Sequence, residues 1–292
     1  MTAENDSAAW MRARRDEIER ALDAHLAPPS DGDPGRLVES MRYSLLAPGK
    51  RLRPLLALAA AETQTGTASG PTDPNILRAC CAVELVHCYS LIHDDLPAMD
   101  DDDVRRGRPS NHKAFDEATA ILAGDGLLTL AFAWIAEAGL AADRPGPYLA
   151  ASRALAHGAG LRGMVRGQAR DLGEAPPTDV TALERLHSEK TAALFQAAVT
   201  LGGAVAGATA AELAALAAFG ACFGVAFQHA DDLDDADHPA LAEAARARLS
   251  ALVSEAVRSL APLGARGDRL AGFAGALLPE RATGLEVGST RI

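Results

Sequence analysis

The chain has 292 residues, 48% of them hydrophobic, with a formal net charge of −11. That size and apolar content suffice for one large core, and the acidic balance argues against nucleic acid or an anionic membrane as partner. Aromatics make up only 4%, alanine dominates, and no stretch alternates with period two, so an all-α fold is expected.

The N-terminus (MTAENDSAAW) carries acidic residues and no apolar core segment, so no secretory signal is visible and a cytoplasmic protein is expected. Residues 8–27 read as an amphipathic helix and 28–35 (PPSDGDPG) as a loop. Residues 37–46 read as a short helix stopped by Pro48-Gly49. Residues 49–54 (GKRLRP) open an apolar helix over 55–61. Cations sit badly at a helix N-terminus, so Lys50, Arg51 and Arg53 ask for an anion, and a phosphate would also gain from the free N–H groups there. A solvated basic turn is the alternative.

Residues 63–74 read as a loop, and Asp73-Pro74 as a helix start with proline at the first helical position. The helix runs to about 95. It carries Cys80, Cys81 and Cys88, which with Cys222 lack metal-finger spacing and read as reduced, apolar packing. His87 and Asp94 lie two turns apart on one face; a histidine so placed is ordinarily a satisfied core residue.

Residues 91–109 read LIHDDLPAMDDDDVRRGRP, with Asp94, Asp95, Asp100, Asp101, Asp102 and Asp103 followed by Arg105, Arg106 and Arg108. Charges this close repel and call for a counter-charge. Hard oxygen ligands favour magnesium, held by carboxylates together with phosphate oxygens. The arginines suit the same ligand, because guanidinium pairs bidentately with phosphate. Taken alone, such a run is equally a charged helix end with no ligand.

Residues 116–138 form the next expected helix, in which Asp125 (AGDG) reads as a cap or a hydrogen-bonded core group. After a Pro/Gly break at 144–147 the chain resumes to 172, with Gln168 and Asp171 on one face. Pro176-Pro177 ends that helix, Asp179 caps the next, and Lys190-Thr191 falls within it; a lysine interrupting an apolar run wants an anionic partner. Residues 191–211 carry no charge and are long enough to span a membrane. Their Ala, Gly and Thr content, Gln196 and an apparent break at Gly202-Gly203 make them a buried helix instead, so no membrane insertion is expected. Residues 213–230 are again uncharged and lead into FQHADDLDDAD (227–237). On a helix, Asp231 and Asp235 lie one turn apart with Asp232 beside them, and Gln228 shares a face with Asp232. Two apolar helices that each end in an aspartate cluster, facing across a cavity, could hold several magnesium ions around one diphosphate.

At this point the chain resembles the trans-prenyl diphosphate synthases, the polyprenyl synthetases. DDLPAMD followed by DDDVRRGRP is similar to their first aspartate-rich motif, in the bacterial form with two extra residues, and DDLDD to their second. PGKRLRP (48–54), AVELVHCYSLIHDD (82–95), GMVRGQARDL (163–172) and HSEKTAALF (187–195) fall in family order, so the resemblance covers about 49–235. It implies a single isoprenoid-synthase domain over 1–292, a helical bundle around a central cavity, and a homodimer. The implied reaction condenses isopentenyl diphosphate with dimethylallyl or geranyl diphosphate to a short-chain product, farnesyl diphosphate by preference. By the same resemblance Asp94, Asp100, Asp231 and Asp235 bind magnesium with Asp95 and Asp232 assisting, and Asp94, Asp95, Asp100, Lys190, Asp231 and Asp232 form the catalytic set. Arg105, Lys190, Thr191 and Gln228 steady the allylic diphosphate, while Lys50, Arg53, His87 and Arg106 hold isopentenyl diphosphate. Tyr89, with Ser90, floors the pocket for the growing chain; an aromatic residue there resembles the bacterial farnesyl (C15) makers, although core packing equally explains a tyrosine.

The chain departs from the family after Asp235. Members carry a loop there with a glycine-lysine pair, an aspartate and a second lysine that close over the allylic diphosphate. Here the next helix begins at Leu241, and no lysine follows Lys190. Losing one cationic contact to a phosphate costs about 2–4 kcal/mol of transition-state stabilisation, and losing a lid admits water. Two other readings follow: a weakly active or non-catalytic subunit of a prenyl synthase pair, and a magnesium-dependent terpene cyclase. The cyclase would not need Lys50, Arg53 and Arg106.

Overall fold

The structure is a computed structural model that describes residues 3–27, 32, 34–66, 70, 72–173 and 175–278. Much of the expected 28–35 loop lies outside the described residues. Helices dominate: α1 (Ala3–His25), α2 (Gly35–Leu45), α3 (Leu52–Thr65), α4 (Pro74–Asp94), α5 (Asn111–Ala114), α6 (Glu117–Ala141), α7 (Gly146–Ala159) and α8 (Met164–Gly173) come first. Then follow α9 (Val180–His187), a π-helical turn (Ser188–Ala192), α10 (Ala193–Val205), α11 (Ala210–Asp235), α12 (Ala242–Ser259) and α13 (Asp268–Gly275). The all-α expectation holds.

The helix starts follow local chemistry. Asp73 accepts from the Asn75 and Ile76 N–H groups, with Pro74 at the first helical position. Asp116 and Asp179 cap α6 and α9 through Thr119 and Ala182. Thr209 and Glu212 form a reciprocal capping box at α11.

α4 lies at the centre, its residues 79–89 all buried. It packs on α6, while α10 packs against α3, α7 and α11, and α12 covers α11. This bundle brings the C-terminal ends of α4 and α11 and the N-terminal end of α3 to one region. By length and composition alone α4, α6 and α11 could each cross a membrane.

Several boundaries differ from the sequence expectation. The uncharged run 191–211 is two helices, because α10 stops at Val205 and Thr209 caps α11. Gly202-Gly203 is no break: both are buried within α10. A Cβ on Gly202 would sit 1.9 Å from the Ala57 carbonyl oxygen of α3, so glycine is there for close helix contact. Residues 160–163 interrupt what looked like one helix to 172. Asp125 is neither cap nor core group but an exposed residue inside α6. The short ribbon of β1 (Val104–Arg105) and β2 (Arg108–Pro109) was also unforeseen. It pairs Arg105 with Arg108 around Arg106 and Gly107, which have φ of 54° and 71°. Two positive φ values in a two-residue loop are the hairpin geometry that matches strand twist.

Gly202→Ala is expected to cost about 1–3 kcal/mol through overpacking, read as a lower urea midpoint at unchanged slope. An unchanged midpoint would contradict the α3–α10 contact.

Candidate active site

The first aspartate cluster begins where α4 stops. The Asp100 N–H donates to the Asp94 carbonyl at 2.9 Å, so a tight turn returns the chain to its own start. Burial pushes the Asp94 carboxyl up to about 6; Lys190 and Arg105 oppose the rise, and Asp100 and Asp95 add to it. Asp95 is buried and points elsewhere: Arg105 donates to its Oδ1 from Nε at 2.8 Å and from Nη2 at 2.5 Å. Arg105 also reaches Asp102 at 3.0 Å. The guanidinium expected on the allylic diphosphate is therefore occupied by a buried carboxylate, which could not stay ionised there unpaired. On the outer side Asp101, Asp103 and His112 bring ligand atoms within 4.8 Å of one another, and Lys113 already pairs with Asp103 at 2.8 Å.

The second cluster closes α11. Burial pushes the Asp231 carboxyl up to about 6, with Asp235 adding and Lys50 opposing. Asp235, one turn on, is exposed. Asp232 turns into the protein, where Gln228 Nε2 donates to its Oδ1 at 2.8 Å and His187 Nε2 lies 3.1 Å from its Oδ2. Burial pushes the Asp232 carboxyl up, but His187 and Gln228 outweigh it and hold the group below its usual range. Thr191 Oγ1 donates to Gln228 Oε1 at 2.9 Å, which joins two residues singled out from sequence.

The basic run splits into two jobs. Arg51 has φ 51° and is buried, paired with Glu19 at 2.7 Å and Glu84 at 2.8 Å. It fastens the start of α3 to α1 and α4. Arg53 is 8% exposed and has no carboxylate within 4 Å among the described residues. Its guanidinium lies 4.5 Å from the Phe195 ring, and its Nε lacks a hydrogen bond. Burial pushes it down to about 10, with Glu84 opposing and Arg106 adding. Arg106, held by the ribbon turn, places Nη2 3.5 Å from His87 Nε2. Burial, then Arg53 and Arg106, push His87 well below its usual range, so it is neutral. Gly49 fits beneath them because a Cβ would sit 2.8 Å from Arg106 Nη1. Lys50 is half-buried and acts on Asp231. Two guanidinium groups and a neutral imidazole thus meet, with Lys50 on the turn before α3, an arrangement that can hold an anion.

Lys190 lies in the π turn, a feature common at functional sites. Its Nζ pairs with Asp171 at 2.5 Å and it also acts on Asp94. Gly167 of α8 admits the Lys190 backbone, since a Cβ there would sit 2.2 Å from Lys190 N. Gln168 Nε2, on the same helix, is buried without a partner. Tyr89 is buried edge-on to His93 at 5.7 Å, and burial with Asp94 pushes its hydroxyl up to about 12. Ser90 Oγ donates to the His87 carbonyl at 2.8 Å. The connection after α11 is as short as the sequence implied: Ala236 and His238 have φ of 59° and 49°, and α12 starts at Ala242.

The set therefore has two acid clusters rich in hard oxygen donors, each with a carboxyl that burial makes reluctant to ionise. A divalent cation at Asp94 with Asp100, and at Asp231 with Asp235, would supply the missing counter-charge. Sequence reasoning had missed His187, whose only signal was its place in HSEKT.

Residues 34–242 match the family model described as polyprenyl synthetase. The chain is 44% identical over 228 residues to a farnesyl diphosphate synthase of Geobacillus stearothermophilus, covering 77% of this chain and 74% of that protein. It is 43% identical over 234 residues to geranylgeranyl pyrophosphate synthase 12, chloroplastic, of Arabidopsis thaliana, covering 79% of this chain and 63% of that one. The crystal structure of an FPP/GFPP synthase from Zymomonas mobilis superposes with a TM-score of 0.83 at 39% identity, covering 93% of this chain and 98% of that. A geranyltransferase from Legionella pneumophila gives 0.83 at 30% identity, covering 96% and 99%.

The raised carboxyls set the sign of the pH dependence. In the folded chain Asp94 and Asp231 bind protons up to about 6, above their ordinary value of 3.8. Their ionisation therefore costs stability as pH rises through that range. A divalent cation should raise the melting temperature of metal-free protein more at about pH 8 than at about pH 5, where protons compete. An equal or larger rise at the lower pH would contradict the assignment.

Proposed function

The chain belongs to the polyprenyl synthetase family and is a prenyltransferase, and we propose that it joins isopentenyl diphosphate to dimethylallyl or geranyl diphosphate with magnesium, making farnesyl diphosphate. The observation that carries this reading is the presence of two reluctant carboxyls, Asp94 at the end of α4 and Asp231 at the end of α11, together with Arg53, a buried guanidinium that Asp231 acts on and that has no carboxylate within 4 Å among the described residues. Anions with their own cations satisfy both halves.

Asp94 and Asp100 on one side, and Asp231 and Asp235 on the other, would hold the magnesium. Bound there, it offsets the charge of the allylic diphosphate and so favours its departure. Lys190 supplies an ammonium to the same group, with Thr191 and Gln228 beside it. Asp95 and Asp232 serve from behind, one clamped by Arg105 and the other by Gln228. Arg53, Arg106, Lys50 and the neutral His87 hold isopentenyl diphosphate so that its double bond meets the allylic carbon. The proton lost at the end goes to the departed diphosphate, so no side-chain base is required. Tyr89 bounds the pocket in which the product chain lies, which favours C15 over longer products.

The short connection after Asp235 and the lack of any lysine beyond Lys190 favour one second reading, a weakly active subunit that needs a partner for closure. The cyclase reading loses ground to Arg53 and Arg106, which that chemistry leaves idle. A homodimer is supported by the apolar side chains left exposed on α6 and α7, with Ile121 45%, Leu122 54%, Leu140 86% and Leu149 72% exposed. Four free cysteines, three of them buried, support a reducing cytoplasmic setting.

Purified chain alone, given magnesium, isopentenyl diphosphate and labelled dimethylallyl diphosphate, is expected to yield a C15 alcohol after dephosphorylation, and to sediment at twice 30.2 kDa. Asp94→Ala should lower kcat by about 10²–10³-fold. Arg106→Ala should raise KM for isopentenyl diphosphate by about tenfold with kcat little changed. Binding without elongation would move the reading to the subunit, and full activity in either variant would refute the residue roles.

A further inference from the structure

Between the segment that carries Lys190 and the helix that carries the second aspartate motif, four side chains form a closed bracket. His187 and Thr191 lie one turn apart on the first, and Gln228 and Asp232 one turn apart on α11. Thr191 Oγ1 donates to Gln228 Oε1 at 2.9 Å, and Gln228 Nε2 donates to Asp232 Oδ1 at 2.8 Å. His187 Nε2 closes the bracket 3.1 Å from Asp232 Oδ2, bent out of line for a full hydrogen bond. Asp232 is 6% and His187 5% exposed. A second tier backs the first. The His229 ring lies edge-on to His187 at 5.0 Å, and its Nε2 is 3.4 Å from Glu184 Oε1. Arg248 of α12 donates from Nε to the same Glu184 oxygen at 2.7 Å.

None of His187, His229, Glu184 and Arg248 has a part in the reaction described above. We propose that His187 is a positioning residue that keeps Asp232 turned inward, and so sets the Lys190 turn and the Asp231/Asp235 pair in one fixed relation, braced from α12 by Arg248. The inference rests on the reading of this region as a diphosphate site. With Oδ1 taken by Gln228 and Oδ2 buried against His187, Asp232 presents no oxygen to a cation without opening the bracket, which leaves Asp231 and Asp235 as the pair that can. Asp232 also orients the Gln228 amide, and Gln228 in turn fixes Thr191, the neighbour of Lys190. The chain reaches α12 only a short connection after Asp235. A brace from α12 therefore steadies the second motif where no long loop is present to do so.

Calorimetric titration of the 292-residue chain with magnesium and inorganic diphosphate tests this without turnover. His187→Phe keeps the bulk but removes the donor, and should weaken binding by about tenfold or more, the scale on which supports behind metal ligands act. His187→Gln keeps an N–H and should bind like the parent. Arg248→Met removes only the outer brace from a half-buried position, so it should fold even if His187→Phe does not, and weaken binding about threefold. Parent-like binding by His187→Phe, or equal weakening in the Phe and Gln variants, would overturn the proposal by reducing His187 to a packing residue. If His187→Phe does not fold, parent-like binding by Arg248→Met would overturn it. Failure of the parent to bind magnesium and diphosphate at all would overturn it too. A parent that binds yet does not elongate would sink the proposed reaction alone, and the ratios among variants would still decide the role of His187.

Discussion

A charge removed from water must find a partner or give up its ionisation, and this bundle depends on where that requirement is met and where it is left open. Most of its buried charges are matched internally. Arg51 lies between Glu19 and Glu84, Asp95 against Arg105, which offsets only part of the upward push of burial on that carboxyl, and Asp232 against Gln228 and His187. These pairs tie α1, α3, α4, α9 and α11 together around one region. At the centre of that region the matching stops: Asp94 and Asp231 are held reluctant to ionise, and Arg53 has an aromatic ring instead of a carboxylate. The surrounding pairs fix the frame, and the open positions await a ligand that carries both signs of charge, as a diphosphate with its cations does.

Backbone strain gathers at the same place. The described non-glycine residues with positive φ are Arg51, Asp101, Arg106, Ala236 and His238. They fall in the basic turn before α3, the first aspartate loop, the ribbon turn and the connection after the second motif. Left-handed backbone at such residues costs free energy and persists where the surroundings over-determine it. Here the turn at Arg106 aims a guanidinium at His87, and the left-handed Ala236 ends α11 immediately after Asp235.

Much of this was legible in the sequence because its signals are local. Apolar runs ending in aspartates gave α4 and α11, and Asp73 and Asp179 announced their helices by cap chemistry. What escaped depends on residues far apart in the chain. Nothing in GKRLRP distinguishes Arg51 from Arg53; Glu19 on α1 and Glu84 on α4 decide it. The two glycines at 202 and 203 look like a helix break until α3 is laid against them. Arg105 reads as a phosphate ligand until Asp95 is seen buried beside it. The π turn at Lys190 has no simple pattern, and its close packing shows only through Gly167 on another helix. His187 is one histidine among eight until α9 and α11 are brought together.

The central claim is that the two aspartate clusters form one diphosphate site that Lys190 serves. A crystal structure with magnesium and an unreactive thiolo analogue of dimethylallyl diphosphate tests it most directly. The account predicts metal ions on Asp94 with Asp100 and on Asp231 with Asp235, bridged by one diphosphate, with Lys190 drawn from Asp171 onto that group. Metal found at Asp101, Asp103 and His112 instead, or Lys190 still on Asp171 with the diphosphate elsewhere, would contradict it.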